Sequence, residues 1–181
     1  AAAVPAVAGS RWCYLSSGTW SLLGAELDAP CTSLAAQAAM FTNELGVLGT
    51  TRFLKNIPGL WLVQECRRDL ARKGREMDYA GLTKLAAEAE PFRTLIDPAH
   101  GDFQTPGEML EKIATECERN GRTPPDSPGR FVRCCLESLA LAYREKLATL
   151  ESILGRTFDV IHVVGGGGKN ALLCQMTADA T

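Results

Sequence analysis

Residues 158–170 read FDVIHVVGGGGKN, and this stretch decides the fold. It opens with a β-branched apolar run of the kind that forms a buried strand. Four consecutive glycines follow, and then ALLCQMTADA, which has the composition of a helix. Glycines at a strand-to-helix turn remove every Cβ, so a ligand can approach the backbone closely. Because the start of the next helix attracts anions, the stretch indicates phosphate or nucleotide binding.

The simpler interpretation of this turn is a tight bend that needs a positive φ, but one glycine would suffice for that. The two best-known nucleotide fingerprints do not fit. A P-loop requires glycine at the position of Val163, and serine or threonine at the position of Asn170. The dinucleotide-binding pattern requires a glycine where Asn170 stands. The turn is therefore typical of another phosphate- or adenosine-binding fold.

The composition is that of one globular domain with its own core. Of the 181 residues 46% are hydrophobic and 22% are charged, and the formal net charge is −2. This balance does not indicate a nucleic-acid partner. No apolar run reaches the roughly 20 residues that cross a membrane. The N-terminal AAAVPAVAGS lacks the basic region of a signal peptide, so we expect a cytoplasmic protein.

Seven cysteines are scattered along the chain without a CxxC pair, and there are only two histidines. This gives little support to a zinc site, and no metal-ligating residues are assigned. We expect reduced, mostly buried thiols. Cys117 and Cys134 fall in successive predicted helices and could face each other. Although a reducing compartment argues against a disulfide there, the sequence leaves this pairing open.

A second glycine-containing turn is predicted within residues 11–28, RWCYLSSGTWSLLGAELD. CYLS and TWSLLGAEL are typical of two strands of a hairpin joined at Ser17 and Gly18. Backbone N–H groups, two serine hydroxyls and the Thr19 hydroxyl converge on this tip. Such a tip can bind phosphate oxygens as a backbone nest does. Taken alone, an ordinary β-turn is the favoured interpretation of this tip.

The chain between these two turns is mostly helical by its apolar periodicity and its caps. Helices are expected over residues 57–72, 78–90, 105–121 and 127–154, with Asn56, Asp78, Thr105 and Ser127 as their N-caps. Pro58 would lie in the first turn of the first helix, and Glu108 would complete a capping box in the third. Residues 33–40 could form a short helix, 41–46 a strand or loop, 52–56 an extended piece, and 95–103 a loop with one short strand. A hairpin, then helices, then a strand–glycine–helix unit indicates an α/β layer fold.

Two motifs can now be read together: YLSSGTWSLLG near the start and HVVGGGGKNALLCQMTADA at the end, with RFLKNIPGLWLVQE between them. This combination resembles the carboxy-terminal domain of the FGGY carbohydrate kinases, and within them the kinases of L-rhamnulose, over essentially all 181 residues. The resemblance implies an α/β fold of the actin-like ATPase (ribonuclease H-like) type, with a mixed sheet flanked by helices. It also implies an enzyme that uses ATP and Mg²⁺ to convert L-rhamnulose to L-rhamnulose 1-phosphate, with this domain supplying the nucleotide side of the site.

The resemblance carries roles over to individual residues. In related kinases the hairpin meets the ATP phosphates, the glycine turn packs against the adenosine, and a KN-I-x-G-x-W-L-x-Q pattern lies between them. By these matches the implied ATP-binding residues are Ser17, Gly18, Thr19, Gln64, Gly165, Gly166 and Gly167. Asn56 is the implied substrate-side contact. Without the resemblance, Gln64 would be interpreted as an ordinary glutamine at the edge of the core.

No catalytic base is expected within the chain. In the kinases of L-rhamnulose a His-Asp-Thr motif carries the base, a few residues before an alanine-rich segment that ends in Val-Pro. Residues 1–5 resemble that segment, so the aspartate is expected just before Ala1. Inside the chain, turn aspartates such as Asp28, Asp97 and Asp102 usually bond their own backbone, and His162 among strand valines is more often structural.

The resemblance therefore implies a carboxy-terminal domain, residues 1–181, that is truncated at both ends and lacks its amino-terminal domain. ATP, a ketose and that domain are the expected partners, and we expect the chain alone to be inactive. Two alternatives remain open at this point. One is a kinase of another ketose, such as fuculose or xylulose, and the other is a non-catalytic nucleotide-binding module of actin-like type.

Overall fold

A computed structural model describes Val4 and residues 11–181, so the alanine-rich segment at residues 1–5 lies, except for Val4, outside the described residues. Within that part, five strands form one mixed sheet in the order β3-β4-β2-β1-β5. The strands are β1 (Trp12–Ser17), β2 (Trp20–Leu27), β3 (Thr42–Leu45), β4 (Thr51–Pro58) and β5 (Val160–Val164). β5 is parallel to β1, and the other neighbouring strands are antiparallel.

Helices supply the rest of the regular structure. They are α1 (Leu34–Ala38), α2 (Trp61–Arg72), α3 (Tyr79–Glu88), α4 (Met109–Arg119), α5 (Pro128–Leu154) and α6 (Ala171–Ala180). Short 3₁₀ turns cover Val47–Gly49, Gly101–Gln104 and Gly166–Lys169. A mixed sheet flanked by helices confirms the predicted α/β fold class. Among the described helices none combines the length and the apolar character needed to cross a bilayer.

The alternation of side chains along the strands gives the sheet two different faces. We call one the helix face, because its strand residues belong to the same buried core as residues of α2 to α6. These strand residues are Cys13, Leu15, Leu23, Ala25, Phe53 and Ile57. The second face carries Tyr14 and Leu54, which are buried but lie outside that core, and the exposed Asn56.

The longest helix, α5, has the bounds that its sequence predicts. The Ser127 side chain accepts a hydrogen bond from the Arg130 N–H, which confirms the predicted N-cap. Gly155 ends the helix in the left-handed conformation, with φ of 62°. The 27 residues extend over about 40 Å, enough to pass beneath the whole sheet. Because both ends are set by neighbouring residues, local signals were sufficient here.

The predicted start of α2 is wrong. The helix begins at Trp61 instead of residue 57, while Asn56 and Pro58 belong to β4 and Asn56 caps nothing. The reason is strand pairing, because the ladder between β2 and β4 continues as far as Trp20 opposite Pro58. These long-range backbone hydrogen bonds outweigh the local preference of an Asn-x-Pro segment for a helix start.

The predicted capping box of α4 is also wrong. Thr105 is not the N-cap, the helix begins only at Met109, and Glu108 before it has a φ of 52°. Buried carboxylates of α2 bind this N-terminus instead. Glu65 Oε2 accepts from the N–H of Gly107 at 2.9 Å, and Asp69 Oδ2 accepts from the N–H of Leu110 at 3.1 Å. Acceptors from another helix thus replace the local cap.

The remaining segments resolve the expectations that the sequence left open. The hairpin is confirmed, with Gly18 and Thr19 at its tip instead of Ser17 and Gly18. The Asp78 side chain caps α3 as predicted, accepting from the N–H of Gly81 at 2.7 Å. α1 lies within residues 33–40, the strand-or-loop segment forms β3, and residues 95–103 form no strand.

All seven cysteines are free thiols, so Cys117 and Cys134 do not form the disulfide that the sequence left open. Five of them are buried, and two, Cys31 and Cys174, are half-buried. Burial raises the pKa of the Cys13 thiol to about 12 and that of Cys117 to about 11. The thiolate is the reactive form, so these buried cysteines are expected to be inert.

Candidate functional site

The tip of the β1–β2 hairpin is bound to the start of α2. The carbonyl of Gly18 accepts from the N–H of Leu60 at 2.9 Å. The carbonyl of Thr19 accepts from the N–H groups of Gly59 and Trp61 at 3.2 and 3.0 Å. The hairpin therefore satisfies N–H groups that a side-chain cap would otherwise bind, and the position of its tip is fixed relative to the helix.

Gln64 lies in the first turn of α2, where this arrangement brings it to the hairpin. Its Nε2 donates to Thr19 Oγ1 at 3.1 Å. Thr19 is exposed and Gln64 is half-buried, so both side chains are accessible from the same side of the tip. Two residues that the resemblance implied as nucleotide contacts are thus hydrogen-bonded neighbours, although 45 positions separate them in the sequence.

The glycine turn follows β5. Gly165 has a φ of 90°, a conformation that favours glycine, and the 3₁₀ turn leads from it to Asn170. Asn170 Oδ1 accepts from the N–H of Leu173 at 3.0 Å and so caps α6. One of the helix N–H groups that we expected to attract an anion is therefore occupied by this cap.

The glycines of this turn differ in what a side chain would meet. A Cβ on Gly165 would lie 2.6 Å from the carbonyl oxygen of Ser17, and a Cβ on Gly167 would lie 2.0 Å from Ser17 Oγ. Real Cβ atoms do not approach other atoms so closely, so both positions require glycine for packing. A Cβ on Gly166 would have no atom within 4 Å. Gly166 therefore presents an open surface that a ligand can approach.

Ser17 does not lie where the resemblance implied. Its side chain belongs to the helix face, it is only 2% exposed, and its Oγ has no hydrogen-bond partner. The hydroxyl is directed at Gly167 and not at the exposed tip, so it cannot contact phosphate in this arrangement. Gly167 is buried for the same reason. In this structure Ser17 and Gly167 pack the hairpin against the glycine turn, and their implied role as ATP contacts stays a prediction.

Asn56, the implied substrate contact, lies apart from these residues. It is exposed on the second face of the sheet, paired in register with Leu22. Trp20, at the start of β2, belongs to the same face and is 50% exposed.

Groups that could act as a base or hold a metal are few in the part of the chain that the structure describes. No three or more His, Cys, Asp or Glu residues lie together as metal ligands would. Asp97 Oδ1 accepts from the N–H of Ala99, and Asp102 is paired with Arg119 at 3.0 Å. His162 packs edge-on against the Trp12 ring at 5.7 Å. Asp97 thus has the backbone contact that we expected, whereas Asp102 is held by an ion pair, and none of these side chains is assigned catalysis.

Solved structures share this architecture. Gluconate kinase from Lactobacillus acidophilus matches 94% of this chain, and 33% of its own, with a TM-score of 0.63 at 15% identity. Xylulose kinase from Rhodospirillum rubrum matches 94% of this chain, and 33% of its own, with a TM-score of 0.62 at 19% identity. At such low identity the likeness shows the fold alone. It defines the class as the actin-like ATPase fold of the sugar kinases.

The family follows from the sequence. Residues 13–181 match the FGGY family of carbohydrate kinases, C-terminal domain, and the chain belongs to this family. Rhamnulokinase from Bacteroides thetaiotaomicron is 45% identical over 179 residues, which cover 99% of this chain and 36% of that protein. Rhamnulokinase from Ligilactobacillus salivarius is 40% identical over 170 residues, covering 94% and 34% respectively. The chain thus spans about a third of the length of these curated relatives.

Proposed function

We propose that this chain is the nucleotide-binding side of an ATP-dependent kinase that converts L-rhamnulose to L-rhamnulose 1-phosphate. The observation that carries the nucleotide assignment is the direct contact of Ser17 with Gly165 and Gly167. It brings together two glycine-containing turns that are about 150 residues apart in the sequence. The sugar assignment is supported by the identity of 40–45% to rhamnulokinases.

In this proposal the two turns bind different parts of ATP. The tip formed by Gly18 and Thr19 contacts the phosphates through the exposed backbone and hydroxyl of Thr19, while the N–H of Gly18 donates to the carbonyl of Trp20 and closes the turn. Gly166 and the exposed backbone beside it pack against the adenosine. Gln64, hydrogen-bonded to Thr19, contacts the nucleotide between these two turns. Two observations support this assignment of phosphates and adenosine to different turns. Gly166 and the Thr19 hydroxyl are both accessible, and the turns that carry them pack against each other.

Phosphoryl transfer needs in-line positioning, neutralisation of charge and a carboxylate that accepts the proton of the attacking hydroxyl. In this proposal the chain supplies the backbone and the hydroxyl of Thr19 at the phosphate side. We propose that the carboxylate is an aspartate of an amino-terminal domain, preceding residue 1. Mg²⁺ bound with ATP would be held mainly by phosphate oxygens and waters, with one or two carboxylates as protein ligands, and no such ligand is assigned in this chain.

The sugar would be bound mainly by the other domain, with Asn56 as a contact from this one. Closure of the two domains would exclude water, so that the γ-phosphate is transferred to the 1-hydroxyl of the ketose and not to water. We place the enzyme in the cytoplasm, where ATP is available. Seven free thiols without a disulfide among the described residues support a reducing compartment.

The test is a coupled ADP-release assay on the full-length protein with a panel of ketoses. We expect the highest kcat/KM with L-rhamnulose, followed at a distance by L-fuculose and D-xylulose. A higher kcat/KM for another ketose would contradict the substrate and leave the kinase assignment intact. ATP binding in titration calorimetry without ADP release for any ketose would instead favour a non-catalytic nucleotide-binding module.

A further inference from the structure

A buried pair of hydroxyl groups lies directly behind the hairpin tip. Tyr143, near the middle of α5, is 1% exposed, and Ser21, the second residue of β2, is fully buried. Their hydroxyl oxygens are 2.7 Å apart, which is a good hydrogen bond. Ser21 follows Thr19 by only two positions. Neither hydroxyl reaches the surface, so the pair cannot contact ATP, but any shift of it would move the tip.

Ser17 brings the other strand of the hairpin to the same place. Ser17 is the register partner of Ser21 on the neighbouring strand, so the two side chains lie side by side on the helix face. The pair formed by Tyr143 and Ser21 therefore lies beside the last residue of β1. Ser17 in turn fills the space that side chains at positions 165 and 167 would need. We call Ser17, Ser21 and Tyr143 the hydroxyl cluster.

The cluster also touches the segment that leads into α2. A Cβ on Gly59 would lie 2.7 Å from Ser21 Oγ and 2.6 Å from the carbonyl oxygen of Gly18. The backbone just before α2 is thus packed against the hairpin where Tyr143 supports it. As a result, the hydroxyl cluster is in contact with all three segments that carry the proposed ATP contacts: the tip, the start of α2 and the glycine turn.

We propose that Tyr143 is a positioning residue for ATP, which acts through its hydrogen bond to Ser21 to hold Thr19 at a fixed place relative to Gln64 and Gly166. This inference rests on the proposed function, since it explains how the phosphate side and the adenosine side of that nucleotide site keep a fixed relative position. A residue on α5 would then set nucleotide affinity without touching the nucleotide, in the way that supporting residues hold a binding constellation together.

The test uses Tyr143→Phe in the full-length protein. Phenylalanine keeps the ring that packs in the core but leaves Ser21 Oγ buried without its partner. We expect KM for ATP to rise about tenfold, with kcat and KM for the ketose within about twofold of the wild type. Ser21→Ala should have a similar effect. Because both changes remove the same hydrogen bond, their effects on KM for ATP should not add. The double variant should have a KM for ATP close to that of either single variant.

Tyr14→Phe is the matched control. Tyr14 is as buried as Tyr143 and lies on β1, but its hydroxyl has no hydrogen-bond partner and it belongs to the second face of the sheet. Removing that hydroxyl should leave KM for ATP within about twofold of the wild type. The comparison separates a general effect of losing a buried hydroxyl from the specific effect of losing the bond to Ser21.

Two outcomes would overturn the inference. One is a fully folded Tyr143→Phe enzyme with an unchanged KM for ATP, which would make the pair merely structural. The other is an equal rise in KM for ATP and for the ketose, which would indicate a general loosening of the domain. Failure of the proposed function is recognised separately, because the wild-type protein itself would then neither bind ATP in calorimetry nor release ADP.

Discussion

Each glycine of the turn between β5 and α6 has its own reason for lacking a side chain. Gly165 and Gly167 lie against Ser17, whereas a Cβ on Gly168 would make only an ordinary contact with Val163 at 3.7 Å. Gly166 faces open space. A run of four identical residues thus serves packing at two positions and ligand access at another, a distinction that the sequence does not contain.

The role of Gly166 can be tested with Gly166→Val in the full-length protein. The protein should fold normally, because nothing lies within 4 Å of the added Cβ, but ATP binding should be lost through a clash with the adenosine. Titration calorimetry measures the affinity, and thermal unfolding checks the fold. Gly101→Val is a suitable control, since Gly101 also faces open space but lies in a different turn. An unchanged ATP affinity in Gly166→Val would contradict the adenosine assignment.

Cys174 offers a chemical probe of the same turn. Its Sγ lies 3.7 Å from the carbonyl oxygen of Gly168, and the side chain is half-buried. We expect saturating ATP to slow the alkylation of Cys174 by iodoacetamide, because the nucleotide would cover the turn. Cys31 is also half-buried, but it lies beside Ser33 and not in the glycine turn. Its rate of alkylation should therefore not change. Peptide mass spectrometry measures both rates, and equal protection of the two cysteines would contradict a local effect.

Asn56 tests the substrate side. Asn56→Ala should raise KM for the ketose several-fold and leave KM for ATP unchanged, since its amide is exposed on the face of the sheet away from Gln64. Thr42→Ala is the control, because Thr42 is also exposed on that second face, on the edge strand β3. Steady-state kinetics with each substrate varied in turn gives both constants. A rise in KM for ATP alone would indicate that Asn56 contacts the nucleotide and not the sugar.

At the scale of elements, α2 organises much of the domain. The hairpin binds its first N–H groups, and its own buried carboxylates bind the start of α4. Glu65 and Asp69 are nearly fully buried, while their Arg68 and Arg72 partners on the same helix are exposed. A buried carboxylate that accepts from a buried N–H is costly to remove, since the donor is left without a partner.

We therefore expect Asp69→Ala to lower the free energy of unfolding by about 2–3 kcal/mol. Asp78→Ala removes an exposed N-cap of α3 and should cost about 1 kcal/mol. Urea denaturation of the two variants gives the comparison. If Asp69→Ala were the milder change, the bond from the Leu110 N–H to Asp69 would not be the cap that the geometry indicates.

At the scale of the whole molecule, the proposed function makes the 181 residues one side of a reaction centre. The described residues bring together the proposed phosphate and adenosine contacts, and no base is assigned among them. We expect the chain expressed alone to show no kinase activity and only weak affinity for ATP, because in this proposal the opposing wall of the site belongs to another domain. A coupled ADP-release assay beside the full-length protein measures this. Turnover of L-rhamnulose by the chain alone would contradict it.

The sequence determined the features whose causes are local. The bounds of α5 follow from Ser127 and Gly155, and the β1–β2 hairpin and the strand before the glycine turn follow from apolar runs interrupted by glycine. The family resemblance, which depends on motifs and their order, was also available from the sequence and is confirmed. In these cases the residues that decide the structure are close neighbours along the chain.

Only the tertiary structure decided where α2 and α4 begin, what Ser17 contacts, and which glycine of FDVIHVVGGGGKN is open to a ligand. The starts of the two helices depend on strand pairing with β2 and on the carboxylates Glu65 and Asp69. The contact of Ser17 with Gly165 and Gly167 depends on the glycine turn about 150 residues later. The physical reason is the same each time. Folding brings atoms from a distant part of the chain to bond a backbone N–H or to fill the space that a Cβ would occupy, and no local sequence pattern identifies these atoms.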